Sequence, residues 1–190
     1  TNAQFFASGA IPWIENMETY YLEFCIPSEY LPDSQEQRDE ILGLMDGPVN
    51  VDAFIKEGTI FRPGDGIELE TIALPGHKLE EVGFLNHSTG DFFTGDILLA
   101  LAAPFFHGFQ TARGFRNTLS KIKQLINEGK IKRILAAHHH PLDEEKAFDA
   151  LKTTETFLDD VKQTVIQEAK GIHFPILWKH VCDRMNKQLE

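Results

Sequence analysis

Between residues 59 and 142 the sequence runs as short apolar segments that end on residues able to bind a metal ion. Leu74-Pro75-Gly76-His77 closes one, Phe93-Thr94-Gly95-Asp96 a second, and His138-His139-His140 a third. Each group stands directly after a predicted strand or late in it. Loops at strand ends can gather side chains from distant parts of a sheet onto one edge, while the strands hold them rigid. Histidine nitrogen and carboxylate oxygen suit zinc, manganese or iron, and a catalytic site keeps one position open for water. Taken singly, the first two have plainer readings, a turn histidine after Pro-Gly and an aspartate capping a local amide. Three adjacent histidines at a strand end are unusual, and the order of the three groups strengthens each of them.

The pattern around these groups predicts the elements. Ile67, Leu69 and Ile72 alternate loosely with Glu68, Glu70 and Thr71, as a half-buried strand does, and Arg62-Pro63-Gly64-Asp65-Gly66 reads as the turn before it. Val82–Asn86 and Phe92–Leu99 read as two more strands. Phe115, Leu119, Ile122, Leu125 and Ile126 recur at helical spacing, which predicts a helix over Arg113–Asn127, ended by Gly129. Ile131–Ala137 is a short buried strand running into the histidines. The first sixty residues are irregular, broken by Pro12, Pro27, Pro32 and Pro48, with helices predicted for Ser34–Met45 and Val49–Lys56. Ser34 followed by Gln37 is a capping-box start for the first of these. After residue 142 the chain is all helix. Asp143 caps a helix running towards Lys170 and Gly171, and a last helix spans Phe174–Leu189. This order suits an α/β or α+β layered domain over residues 1–142, with a helical C-terminal appendage over 143–190.

Composition narrows the function classes. Lysine and arginine total 18 against 29 acidic residues, a formal charge of −11. Such a chain repels a phosphate backbone unless its cations cluster, and Lys130, Lys132 and Arg133 form the longest cluster, so nucleic-acid binding is disfavoured. A hydrophobic fraction of 42% with 15 phenylalanines supports a packed core and excludes general disorder. No run reaches the roughly 18 apolar residues of a membrane span, and residues 1–10 lack the pattern of a secretion signal. Cys25 and Cys182 stand far apart without a CxxC pair, so a reduced, cytoplasmic setting is expected.

Gly64-Asp65-Gly66-Ile67-Glu68-Leu69, Ile72-Ala73-Leu74-Pro75-Gly76-His77, Val82-Gly83-Phe84 and Phe92-Phe93-Thr94-Gly95-Asp96-Ile97-Leu98 together resemble the second half of a metallo-β-lactamase-fold protein. The resemblance runs from about residue 60 to residue 142 and implies an αββα sandwich, incomplete here and followed by the helical appendage. It makes His77 a ligand of one metal, Asp96 the bridging and catalytic aspartate, and one of His138, His139 and His140 a ligand of a second metal, with His138 preferred because the family histidine usually comes first after the strand. His139 and His140 would then support the ligands or face the substrate. The implied activity is that of a zinc-dependent hydrolase, with manganese or iron as other metals. Metal-activated water would attack an ester, thioester, lactone or amide of a small molecule.

One departure bears on that expectation. The family's His-x-His-x-Asp-His motif is absent from the 190 residues. His77, Asp96 and His138, divided between two metal positions, give neither the three protein ligands usual for catalytic zinc. Either the chain begins just after the motif, with Thr1–Gly9 as the start of the following helix, or it is a degenerate, non-catalytic member serving interaction. A third arrangement has another chain supplying the missing ligands. The remaining residues have plain readings beside functional ones. His87 is a solvated turn residue. Phe105, Phe106, His107 and Phe109 form an apolar substrate wall or simple packing. Arg113 and Arg116 bind an anionic group or are merely solvated. Glu80 and Glu81 stand where the family often has small residues, and so alter access. Cys25, Cys182, Trp13 and Trp178 are core or interface residues, and His173 and His180 pack or face water. Ile172, Ile176, Leu177, Val181 and Met185 give the tail a partly apolar face for its own domain or for a homodimer.

Overall fold

The computed structural model describes residues 4, 6–9, 39–40, 43–44, 51–98 and 109–169. It divides into two compact units, Thr1–Ile55 and Lys56–Glu190. In the first unit β1 (Phe6–Ser8) and β2 (Ala53–Ile55) pair in parallel, Phe6 opposite Ala53 and Ser8 opposite Ile55. Helix was expected over Val49–Lys56, and over Thr1–Gly9 only on the reading that the chain begins just after the missing motif. The pairing joins positions far apart in the chain, and strand formation by residues such as Phe54 and Ile55 depends on such partners, which local periodicity does not register. Of the helix expected over Ser34–Met45, residues 39, 40 and 43 are described and helical. The helix expected over Phe174–Leu189, Gly171, and Trp13, Cys25, His173, Trp178, His180 and Cys182 lie outside the described residues.

The second unit holds a six-stranded sheet in the order β3-β4-β5-β6-β7-β8. Its strands are β3 (Ile60–Gly64), β4 (Ile67–Ala73), β5 (Val82–Asn86), β6 (Asp91–Gly95), β7 (Arg133–Ala136) and β8 (Leu142–Asp143). Helix α1 (Ala112–Asn127) crosses between β6 and β7, and α2 (Glu144–Glu168) follows β8. All pairs are antiparallel except β6 with β7. The segment read as a turn over Arg62–Gly66 is instead mostly edge strand, with the turn confined to Asp65-Gly66. Pro63 is tolerated because an edge strand leaves one row of amides unpaired, and the register slips between Phe61 and Gly64. The strand expected over Phe92–Leu99 stops at Gly95, after which 96–98 turn away.

The helix ends follow local chemistry. Thr111 caps α1 by accepting from the Gly114 N–H at 3.1 Å. Beyond its other end Gly129, at φ +70°, makes the left-handed stop, its N–H donating to the Ile126 carbonyl at 2.8 Å. Asp143 caps α2 by accepting from the Lys146 N–H, and Glu144 and Glu145 place negative charge at the helix's positive end.

Both helices join one apolar layer with the sheet. Leu85, Phe92 and Ile134 stand side by side across β5, β6 and β7, each at most 1% exposed. Phe115, Leu119 and Ile122 of α1 and Leu151 and Leu158 of α2 complete that layer. Alternate residues face the other way. Phe84, Phe93 and Leu135 line up across the same strands, and Phe61 sets its ring edge-on to Phe84 at 5.9 Å. Phe93 remains 43% exposed on that face. Among the described residues, no helix is long and apolar enough to cross a membrane.

Leu119 is fully buried where α1 meets the sheet, so Leu119→Ala should cost about 3 kcal/mol in transfer energy and residual cavity. Ile166→Ala, on the exposed side of α2, should cost under about 0.5 kcal/mol. Urea unfolding of both variants checks the pair, and equal losses would contradict the packing of α1 on the sheet.

Candidate metal centre

Strand direction gathers the three motifs. β4 and β6 both run antiparallel to β5, and β7 runs parallel to β6, so β4, β6 and β7 all point the same way. Their C-terminal ends share one edge of the sheet, and the chain leaves those ends towards His77, Asp96 and His138. In open α/β sheets this is the edge where ligands bind.

Each donor is held by its own local structure. Leu74, fully buried, anchors the loop that carries His77. The Leu74 N–H donates to the Glu81 carbonyl at 2.8 Å and closes the loop, while the Gly76 N–H donates to the Lys78 carbonyl inside it. Residues beside α1 clamp the loop from outside. The Gln110 N–H is shared between the carbonyls of Gly76 and His77, at 3.0 and 3.2 Å. The Gln110 side-chain oxygen accepts from the Leu79 N–H, and the Thr118 hydroxyl donates to the Pro75 carbonyl. Asp96 follows Gly95, whose φ of +58° turns the chain out of β6. His138 itself adopts φ +63°, a conformation uncommon outside glycine in which histidine is enriched.

The three side chains come together around the Asp96 carboxylate. His77 Nε2 lies 3.9 Å from Asp96 Oδ2, and His138 Nε2 lies 3.6 Å from Asp96 Oδ1. Both spans exceed hydrogen-bond length. Two ligands each ~2.1 Å from one ion lie at most ~4.2 Å apart, so each histidine–carboxylate pair fits a shared metal. A carboxylate that turns a different oxygen to each of two imidazoles has the form of a bridge. No group of three or more His, Cys, Asp or Glu side chains among the described residues is arranged to hold one ion. The donors divide into two pairs that share Asp96. Of the other two histidines, His139 bonds through Nδ1 to the His140 carbonyl at 2.9 Å, and both are exposed.

Glu81 joins this site, although the sequence marked it only as altering access. Its Oε1 accepts from the Asp96 N–H at 2.7 Å. Burial pushes its carboxyl up from the usual 4.5 to about 7, and the Asp96 charge adds to this against the lowering bonds from the Asp96 and Lys78 backbone and the Lys78 charge. Gln110 and Thr118 were also missed, because polar side chains that grip a loop carry no periodic signal. The other singled-out residues lie in ordinary pairings. His87 contacts Glu70 at 2.8 Å, and Arg116 contacts Asp159 on α2 at 2.7 Å. Arg113 is exposed. Phe109 packs on the core against Phe115, while Phe105, Phe106 and His107 lie outside the described residues. Lys130 and Arg133 pair with Glu128 and Asp91.

One solved structure of similar shape, at a TM-score above 0.5, has the metallo-β-lactamase fold. A metallo-β-lactamase family protein from Thermus thermophilus matches at TM-score 0.53 and 14% identity, over 87% of this chain and 56% of that one. A metallo-β-lactamase from Pontibacter korlensis matches at 0.48 and 19%, over 60% and 54%. An archaeal metallo-β-lactamase superfamily protein from Sulfolobus tokodaii matches at 0.45 and 18%, over 98% and 70%. This chain therefore spans little more than half the length of the first two. No family model and no curated protein matches the sequence. The chain has the metallo-β-lactamase fold, as the motifs around His77 and Asp96 led one to expect.

The Glu81 carboxyl makes stability depend on pH. Between 4.5 and about 7 the folded chain holds a proton there that the unfolded chain has released. Its contribution is full below 4.5, falls as the pH rises and is lost above about 7. Glu81→Gln should flatten that part of the profile, read as the urea midpoint of chelator-treated protein between about pH 4 and 8. An unchanged slope in the variant would mean another group is responsible.

Proposed function

We propose that the protein is a metal-dependent hydrolase acting on an ester, thioester, lactone or amide of a small molecule. The observation that carries this is the Asp96 carboxylate, turned with one oxygen towards His77 and the other towards His138 at 3.9 and 3.6 Å. His77 and Asp96 would hold one metal ion, and Asp96 and His138 a second. Imidazole and carboxylate donors suit zinc first, then manganese or iron. When bound, the metal would supply the acidity that readies water for attack on a carbonyl and the charge that steadies the developing oxyanion. The chain's own part is to fix the donors. The Gln110 and Thr118 bonds keep His77 from swinging with its loop, and Asp96 would be shared by the two ions. His139 and His140, exposed and next in the chain to His138, would then face the substrate. The donors speak only for metal-activated water, and the ester, thioester, lactone or amide class is what the family resemblance implies.

A rival reading has its own observation. Each metal position receives two donors from the described residues where a catalytic zinc takes three, which favours a non-catalytic member of the fold that serves interaction. Metal content separates the two. Protein purified without added metal should carry about two ions per chain by plasma mass spectrometry, the remaining ligands coming from elsewhere in the protein or from a partner. His77→Ala or Asp96→Ala should lower metal content and cut ester, thioester or lactone hydrolysis by about 100-fold or more. Folded protein of the expected mass that carries essentially no metal would sink the hydrolase and leave the interaction role.

A further inference from the structure

One peptide unit, Gly95–Asp96, is held at both ends. Its carbonyl oxygen accepts from the Ala137 N–H at 3.0 Å, in the residue just before His138. Its N–H donates to Glu81 Oε1 at 2.7 Å, in the loop that carries His77. The segments bearing all three candidate donors therefore meet at a single amide. The first bond continues the backbone pairing of β6 with β7. The second is made by a side chain, and it depends on the residue at 95. A Cβ there would come within 2.9 Å of Oε1, at a φ of +58° that side chains rarely adopt. The other Glu81 oxygen, Oε2, is buried with no hydrogen-bond partner among the described residues. A buried acceptor left unpartnered costs the fold free energy, so what Glu81 contributes lies with Oε1.

We propose that Glu81 is a positioning residue for Asp96. By tying the Gly95–Asp96 peptide to the His77 loop, it sets the separation of the His77 and Asp96 donors and thereby their affinity for a divalent metal ion. This rests on the metal-site reading above and extends it to a residue that touches neither metal nor substrate. What matters is reach, not charge. A side chain that ends in an oxygen at the same distance should serve, and a shorter carboxylate should not.

The test titrates the chelator-treated full chain with Co2+ alone, following the visible absorption bands of the bound ion. Glu81→Gln keeps an acceptor oxygen within reach of the Asp96 N–H and should bind within about threefold of the original chain, whereas losing such a supporting contact costs about 10–100-fold. Glu81→Asp keeps the charge but is one methylene short, and should bind about 10–100-fold more weakly, with altered bands. Gly95→Ala displaces Oε1 from the other side and should weaken binding likewise. It decides the matter if Glu81→Asp fails to fold, as thermal unfolding of the metal-free variants will reveal. Normal binding by Glu81→Asp with weak binding by Glu81→Gln would replace positioning by charge and overturn the proposal, as would equal affinity in every Glu81 and Gly95 variant. If the original chain gives no saturable band, or Asp96→Ala binds as well as the original, the metal site itself fails and the proposal falls with it. Loss in Asp96→Ala with undiminished binding in Glu81→Asp and Gly95→Ala would remove the role of Glu81 alone.

Discussion

The parallel pairing of β6 with β7, Phe92 beside Ile134, obliges the chain to travel back along the sheet between the two strands. The return runs through α1, and the buried stripe of that helix is what makes the crossover stable. Everything at the candidate site depends on this return. Had the two strands been joined by a hairpin, β7 would run the other way and deliver His138 to the far edge of the sheet. As it is, Asp96 and His138 leave neighbouring strand ends. The β4–β5–β6 meander brings His77 to the same edge by a different route, two antiparallel steps that restore the original direction. The core and the site are thus one construction, because the apolar layer that holds α1 against Phe92 and Leu85 also fixes which ends of the strands face one another.

How far the sequence foretold this depends on the range of the interactions. β4, β5, α1 and α2 were legible because their residues alternate or recur within each segment, and because Asp143 and Gly129 act within a few positions of themselves. β3 was hidden by its own turn-like residues, Arg62, Pro63 and Gly64. These are acceptable in a strand only because it lies at the edge, and the edge is defined by its neighbours. β8 has only two residues, Leu142 and Asp143, and exists through backbone pairing to Ile134 and Arg133. β2 was read as helix because its parallel partner, Phe6–Ser8, lies at the other end of its unit.

The candidate site divides along the same line. His77, Asp96 and the histidine triplet were visible as types at strand ends, and the meeting of His77 and His138 on opposite oxygens of Asp96 follows from topology. Among the three histidines, backbone geometry places His138 against Asp96 and turns His139 to the His140 carbonyl. The supporting residues were not visible. Glu81, Gln110 and Thr118 all act by bonding a side chain to a distant backbone group, and nothing in a linear pattern distinguishes such a residue from a solvated one.

Several departures from ordinary folding rules lie beside Asp96. Of the two non-glycine residues with positive φ among those described, Asp65 sits in the hairpin turn where aspartate is at home, and the other is His138. The unpartnered buried oxygens among the described residues belong to Thr71, Thr94 and Glu81, and the two threonines lie on β4 and β6, strands that end at the site. Gly95, one residue from Asp96, adopts a left-handed turn with a carboxylate against its backbone. A side chain at 95 would be strained at that φ and would press on the Glu81 carboxylate, and an apolar residue at 81 would leave the Asp96 N–H without its acceptor. Each change would release the Gly95–Asp96 peptide from the His77 loop. Local strain and unsatisfied groups persist where surrounding structure over-determines them, and they gather at functional sites. Here His138, Gly95 and Glu81 stand beside the one carboxylate that faces two imidazoles, where the proposed metal site would set affinity against stability.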